Sequence, residues 1–279
     1  MKIQLLSDLH LEVHPHLKIA PAPEADLLVL AGDIGSYQSG SLLAEPDFGL
    51  TRFAPRHGWP VPVLFLPGNH EYDALDFDQT HGRLRETCES LGMMWLERER
   101  LELGGVRFVG TTLWTDFDAL AQPGQSLTQL LQQREKAFRA ANFYLRKAGT
   151  MRHGRPMLAE QVREQALICQ SWLETELSQP FDGPTVVVTH FAPSLLSIDP
   201  RYGLTPGSAG FCNALDHLLP HAQLWLHGHL HAPSHYRSQG CLVRANPLGY
   251  ARKNEQASFD PALCVELVTA PPKEPVPSV

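Results

Sequence analysis

No stretch of this 279-residue chain stays apolar for long. Its longest apolar runs span four to six residues, far short of the roughly 18 that cross a bilayer, which excludes a membrane-spanning helix. No secretory leader is expected, because Lys2-Ile3-Gln4-Leu5-Leu6 reads as entering a strand directly. There is no Cys-x-x-Cys pair. The five cysteines (Cys88, Cys169, Cys212, Cys241 and Cys264) are odd in number and mostly sit among apolar neighbours. Free thiols of a cytoplasmic protein fit them better than disulfides or a thiolate metal site. Charge is modest, at 19% of residues, and the net value of −7 argues against a nucleic-acid polymer as partner. No internal repeat and no linker divide the chain.

What the chain does have is 43% hydrophobic residues, enough for a full core, and a recurrent punctuation. Five short apolar runs each end on candidate ligands: Asp8 and His10, Asp33, Asn69 with His70, His190, and His229 with His231. Each run has strand length and composition, so these residues are expected at the carboxyl ends of strands, where open α/β sheets bind ligands. Asp8 and His10 are two apart, as are His229 and His231, so the pleat of a strand would aim each pair at one face. Glycines precede several of them, in Gly32-Asp33, Gly68-Asn69 and Gly228-His229, and are expected to permit sharp turns.

The remaining organisation is coarser. A helix is predicted over 79–92, with Leu84, Cys88 and Leu91 on one face and Gly92 as its stop. Residues 105–115 read as a strand after the turn pair Gly104-Gly105. A helical insertion occupies about 122–180. Its first helix opens on the capping box Ser126-Leu-Thr-Gln129 and carries a stripe of Leu127, Leu130, Leu131, Phe138, Ala141 and Leu145. Its second presents Leu158, Val162, Ala166, Cys169, Leu173 and Leu177. Both are expected to cover a sheet face, or their connection at 149–156 overhangs the site. Strands follow at 234–238, 241–246 and 262–268. The domain is expected over 1–269, and the tail 270–279, with four prolines in ten residues, reads as disordered.

Two carboxylates, one amide and several imidazoles, with no thiolate, suit manganese, iron or zinc and are too nitrogen-rich for calcium. There are too many for one tetrahedral zinc and enough for two ions sharing a carboxylate. Two divalent cations would bring the net charge to about −3 and favour a small anionic substrate.

The set Asp8-Leu-His10, Gly32-Asp33, Gly68-Asn69-His70-Glu71, His190 and Gly228-His229-Leu-His231 resembles the calcineurin-like metallophosphoesterase superfamily, over roughly residues 1–250. The resemblance implies an α/β (α+β) four-layer sandwich, two mixed β-sheets face to face and flanked by helices. It implies that Asp8, His10, Asp33 and His231 hold one transition ion, and that Asp33 bridges to a second held by Asn69, His190 and His229. His70 would act beside the scissile bond as general acid or stabiliser. Water shared by the ions would attack phosphorus in line.

Gly-Asn-His-Glu resembles class III cyclic nucleotide phosphodiesterases, although protein phosphatases share it. His70 argues against the UDP-diacylglucosamine pyrophosphohydrolases. The opening Asp-Leu-His argues against the dinucleoside tetraphosphatases, and the length against the DNA-repair nucleases. The segments 110–116 and 246–250 look like those of an uncharacterised bacterial branch. A phosphodiesterase of small nucleotide-like molecules is expected, with a phosphomonoesterase as the alternative; a non-catalytic scaffold would need broken motifs. Arg201 and Asn213 are candidate substrate contacts. Trp114 and Tyr250 either stack on a base or pack in the core, the second being preferred.

Overall fold

Runs such as Leu27-Leu-Val-Leu-Ala31 alternate in which layer they fill, because a central parallel strand is buried on both faces. In the computed structural model, which describes residues 1–201 and 203–267, they form two sheets. The first orders β13 (Cys264–Glu266), β1 (Lys2–Leu6), β2 (Leu27–Ala31), β3 (Val63–Leu66) and β4 (Met94–Trp95). All are parallel except β13, which closes the edge antiparallel to β1. The second orders β11 (Ser234–Ser238), β12 (Cys241–Ala245), β10 (Leu224–His227), β9 (Thr185–Thr189), β6 (Val106–Thr111) and β5 (Glu99–Leu103). Its four inner strands are parallel, and β5 and β11 are antiparallel edges.

Ile3, Leu5, Val29 and Leu64 from the first sheet meet Phe108, Val186, Val188 and Leu226 from the second, so one apolar layer lies between them. Alternate residues point outward: Leu28, Leu30 and Phe65 under α1 (Phe77–Leu91), and Val109, Val187 and Trp225 toward α3 (Ala159–Ser178). The result is the expected four-layer sandwich of two mixed sheets flanked by helices. No helix among the described residues is long and apolar enough to cross a membrane.

Helix α1 begins two residues before the predicted start because the Asp76 carboxylate caps it, accepting from Gln79 N at 3.1 Å; Gly92, at φ 74°, ends it. The capping box at Ser126 opens α2 (Leu127–Ala148). Its stripe meets the core only in its second half, where Phe138, Ala141 and Leu145 pack partly buried against it. Only Ala137 of that helix is buried, while Leu127 and Leu131 stand exposed. The physical reason is position: α3 packs on β6, and α2 packs outside it, on α3 and on a 3-10 turn at Pro206–Gly210. The α2–α3 connection forms a small hairpin, β7 (Met151–Arg152) with β8 (Arg155–Pro156), docked by Met151 N to Leu75 O (2.8 Å) beside the residues that follow His70. Strand β6 ends at Thr111 rather than 115, because Leu113 and Trp114 turn off at φ 71° and 46°. The predicted tail 270–279, and Val268 at the end of the last predicted strand, lie outside the described residues.

Candidate metal centre

The carboxyl ends of β1, β2, β3, β9 and β10 converge, tied by hydrogen bonds between loops. Asp8 N donates to Gly32 O (3.0 Å), His10 N to Asp33 O (3.1 Å) and Gly228 N to His190 O (3.0 Å). The pleat does not aim the ligand pairs, contrary to expectation. β1 stops at Leu6 and β10 at His227, so Asp8, His10, His229 and His231 all lie beyond strand ends. These four and Asp33 instead adopt left-handed backbone, at φ 52°, 46°, 71°, 49° and 55°. Non-glycine residues enter that region at a cost, and such outliers gather at functional sites.

The glycines also act differently from the turn reading. Gly32 does turn at φ +87°, but Gly68 and Gly228 are needed for close approach. A Cβ on Gly68 would collide with the Asp33 carboxylate, and one on Gly228 would lie 2.6 Å from Asp8 Oδ2.

Two sets of ligand atoms lie within 4.8 Å of one another: Asp8, His10, Asp33 and His231, and Asp33, His190 and His229. Asp33 belongs to both. Asn69 Oδ1 lies 3.2 Å from His190 Nε2 and so joins the second. Asp8, His10, Asp33 and His190 are buried. His229 Nε2 is buried without a hydrogen-bond partner among the described residues, and Asp33 Oδ2 meets only another candidate ligand, His190 Nε2, at 3.1 Å. Orphaned buried polar atoms of this kind call for an ion. His10 Nε2 and His231 Nε2 face each other at 3.0 Å, about the separation of two ligand nitrogens at right angles on one ion. The residues fit a pair of transition ions.

Partners behind the ligands fix the rings. His10 Nδ1 meets Glu12 (2.9 Å), His231 Nδ1 meets Glu255 (2.7 Å) and His190 Nδ1 meets the Ala31 carbonyl (2.8 Å). Each leaves Nε2 pointing inward, the usual arrangement behind a metal-binding histidine. Glu71 holds the loops together, accepting from Gly68 N (2.7 Å), Asp33 N (3.0 Å) and Ile34 N (2.6 Å).

Charge is arranged to be shared. Burial opposes ionisation of Asp33, yet His190, His70 and His10 hold its carboxyl well below the usual range. Burial opposes charge on His190 and His231 as well, but Asp33 raises the first to about 9, and Asp8 with Glu255 raises the second to about 9. Burial dominates at His10 and His229 and keeps both neutral. It also lifts Glu12 to about 7 and Glu71 to about 8.

His70 stands apart from both ligand sets. Its side chain is a quarter exposed, and its ring meets that of His10 edge-on at 5.0 Å. Its backbone N–H donates to Asp33 Oδ1 (2.8 Å), and Nδ1 meets Asp73 at 2.5 Å. Burial works against its charge, but Asp73 and Asp33 prevail and raise its pKa well above 6.5.

The two candidate substrate contacts are engaged by other residues of the chain. Asn213 is fully buried, its amide donating to Trp114 O (2.7 Å) and accepting from Gln170 (3.1 Å) and Asp116 N (3.3 Å), so it is an internal strut. Arg201 is held by Asp199, through Nε at 2.7 Å. Trp114 is buried against Tyr72, Phe77 and Phe191. Tyr250 stacks on His10 at 4.3 Å and stays partly accessible. Glu12, Asp73 and Glu255 escaped the sequence reading. Glu12 and Asp73 lie two and three residues past His10 and His70, a spacing that could have found them; no spacing points to Glu255.

A profile of the calcineurin-like phosphoesterases matches residues 1–233. The chain belongs to that family. A calcineurin-like phosphoesterase is a phosphoric ester hydrolase dependent on a dinuclear metal centre, and this one carries the corresponding cluster of ligands. It is 23% identical over 256 residues to an uncharacterized protein of Acanthamoeba polyphaga mimivirus, covering 86% of this chain and 83% of that one. Among solved structures, the phosphopantetheinyl hydrolase of Mycobacterium tuberculosis aligns over 90% of both chains, with TM-score 0.61 and 20% identity. A dimetal phosphatase from Danio rerio aligns at TM-score 0.43 and 12% identity, over 88% of this chain and 86% of its own.

Proposed function

We propose that this calcineurin-like phosphoesterase is a phosphodiesterase of small nucleotide-like molecules. The observation that carries the reading is the His70–Asp73 pair beside the shared carboxylate of Asp33. Asp8, His10, Asp33 and His231 would hold one ion, and Asp33, Asn69, His190 and His229 the other. When bound, two transition ions lower the pKa of the water they share to roughly 7 and offset charge on the non-bridging phosphoryl oxygens. Glu12, Glu255 and the Ala31 carbonyl orient the imidazoles for that task. Asp73 keeps His70 cationic, so its Nε2–H can protonate the departing oxygen, which matters most for a poor leaving group such as a ribose hydroxyl. Diester preference draws support from aromatic rings on both flanks: Tyr250 against His10, and Phe191 with Phe211 against His229. Two organic substituents on one phosphorus match two such flanks. The free cysteines, four of them buried, support a reducing compartment such as the cytoplasm.

The test is a comparison of bis-p-nitrophenyl phosphate with p-nitrophenyl phosphate on manganese-loaded protein, together with metal analysis. We expect two ions per chain and the larger kcat/KM for the diester. A larger kcat/KM for the monoester would replace this reading with a phosphomonoesterase, and an inert protein with two ions bound would replace it with a scaffold.

A further inference from the structure

An accessible aromatic ring lies against a candidate ligand of the second metal position, and the reading above uses it only as one of two flanks, without assigning what it holds. Phe211 keeps 43% of its surface exposed, although its ring centroid is 5.4 Å from that of His229 and the two planes lie 32° apart. Phe191 lies closer to the same imidazole, at 3.9 Å, but is buried. A lone exposed phenylalanine is ordinary on a protein surface. The footing of Phe211 is not ordinary.

The backbone on both sides of it is fixed from the core. Thr115 Oγ1 donates to Ala209 O at 2.6 Å, and Cys212 N donates to Ser208 O at 3.2 Å. Asn213 N donates to Ala192 O at 2.9 Å, and the Asn213 amide binds Trp114, Asp116 and Gln170. Gly210 rests on Phe117 and on Ala141 of α2, where a Cβ would stand 3.7 and 3.8 Å away. The exposed helix α2 thus has a role: it backs the turn that presents this ring. Substrate-positioning side chains are effective when their support is rigid. A π-face offers area without hydrogen bonds, so it holds planar groups and reads their identity poorly.

We propose that Phe211 is the platform for a planar group on the retained ester substituent of the substrate, such as a nucleobase, and so sets which diesters the enzyme prefers. The inference rests on the phosphodiesterase reading above. It assigns Asn213, which is wholly buried behind the turn, to positioning the platform.

The test pairs two diesters with one leaving group, thymidine 5′-(p-nitrophenyl phosphate) and methyl p-nitrophenyl phosphate, on manganese-loaded wild type, Phe211→Ala and Phe211→Trp. Phe211→Ala should raise KM for the nucleoside ester about tenfold, leave its kcat within about twofold and leave the methyl ester unchanged. Phe211→Trp should restore the wild-type KM. Equal effects on both esters, or none, would overturn the proposal while leaving the phosphodiesterase reading intact. Equilibrium binding of thymidine 5′-monophosphate against methyl phosphate needs no turnover and decides the case if neither diester is hydrolysed. A preference for the nucleotide that Phe211→Ala abolishes supports the platform; an unchanged preference, or none in the wild type, refutes it.

Discussion

Titrating the metal-free protein with manganese at pH 7 should release at least about two protons per chain. His190 and His231 both titrate at about 9, so both are almost fully protonated at pH 7 before metal arrives. A ligand nitrogen must be bare, and each ion therefore displaces one of these protons. His10 and His229, held neutral by burial, release none. Glu12 and Glu71, near 7 and 8, add to the number because a nearby cation favours their ionised forms, so two is the floor. By linkage the overall affinity for the pair should fall at least about 100-fold for each pH unit lost below about pH 9. Stability of the metal-free fold should run the other way. A histidine at about 9 when folded and 6.5 when unfolded stabilises the fold fully below 6.5, and that contribution is lost as pH rises to about 9. The shift corresponds to about 3 kcal/mol for each of the two. Chelator-treated protein should therefore melt progressively lower between pH 6.5 and 9, and metal-loaded protein should not. Calorimetric titration in buffers of different ionisation enthalpy counts the protons. Release of fewer than one proton per chain at pH 7, with two ions bound, would refute the reasoning.

Other predictions follow the same geometry. His70→Ala should keep both ions by elemental analysis and lose about 10²–10⁴-fold in kcat, the usual scale for an acid–base group. Asp73→Asn should move the alkaline limb of the pH–rate profile toward lower pH, because burial and Asp73 pull His70 in opposite directions and Asp73 is what raises it. Gly68→Ala should fold yet bind metal about 10–100-fold more weakly, since the new methyl group displaces the Asp33 carboxylate. Trp225→Ala should cost about 3–5 kcal/mol and lower the melting temperature by roughly 10 °C. Its indole is wholly buried, and its N–H donates to Thr189 Oγ1 at 3.0 Å.

The convergence of the candidate ligands was legible because each follows a central parallel strand, and such strands are the most recognisable elements in a sequence. How the candidate ligands are aimed was not legible: left-handed backbone at Asp8 or His231 leaves no mark in residue type beyond the mild tolerance of Asp and His for that region. Strand β5 was missed because it is an edge of alternating charge, Glu99-Arg-Leu-Glu-Leu103, whose pairing with β6 through Gly104-Gly105 defines it better than composition does. The exposure of Leu127 and Leu131 was hidden for a related reason. Helical spacing reports that residues share a face, and only tertiary packing decides whether that face is covered.

Five side chains on unfavourable backbone have a bearing on how this enzyme can be changed. Each such residue forfeits about 1–3 kcal/mol, and a whole domain keeps only about 5–15 kcal/mol in reserve. Glycine at positions 8, 10, 33, 229 or 231 would relax the chain while removing a candidate metal ligand. Directed evolution for heat resistance alone would thus be drawn toward inactive molecules, and any screen for sturdier variants has to select for phosphate-ester cleavage at the same time.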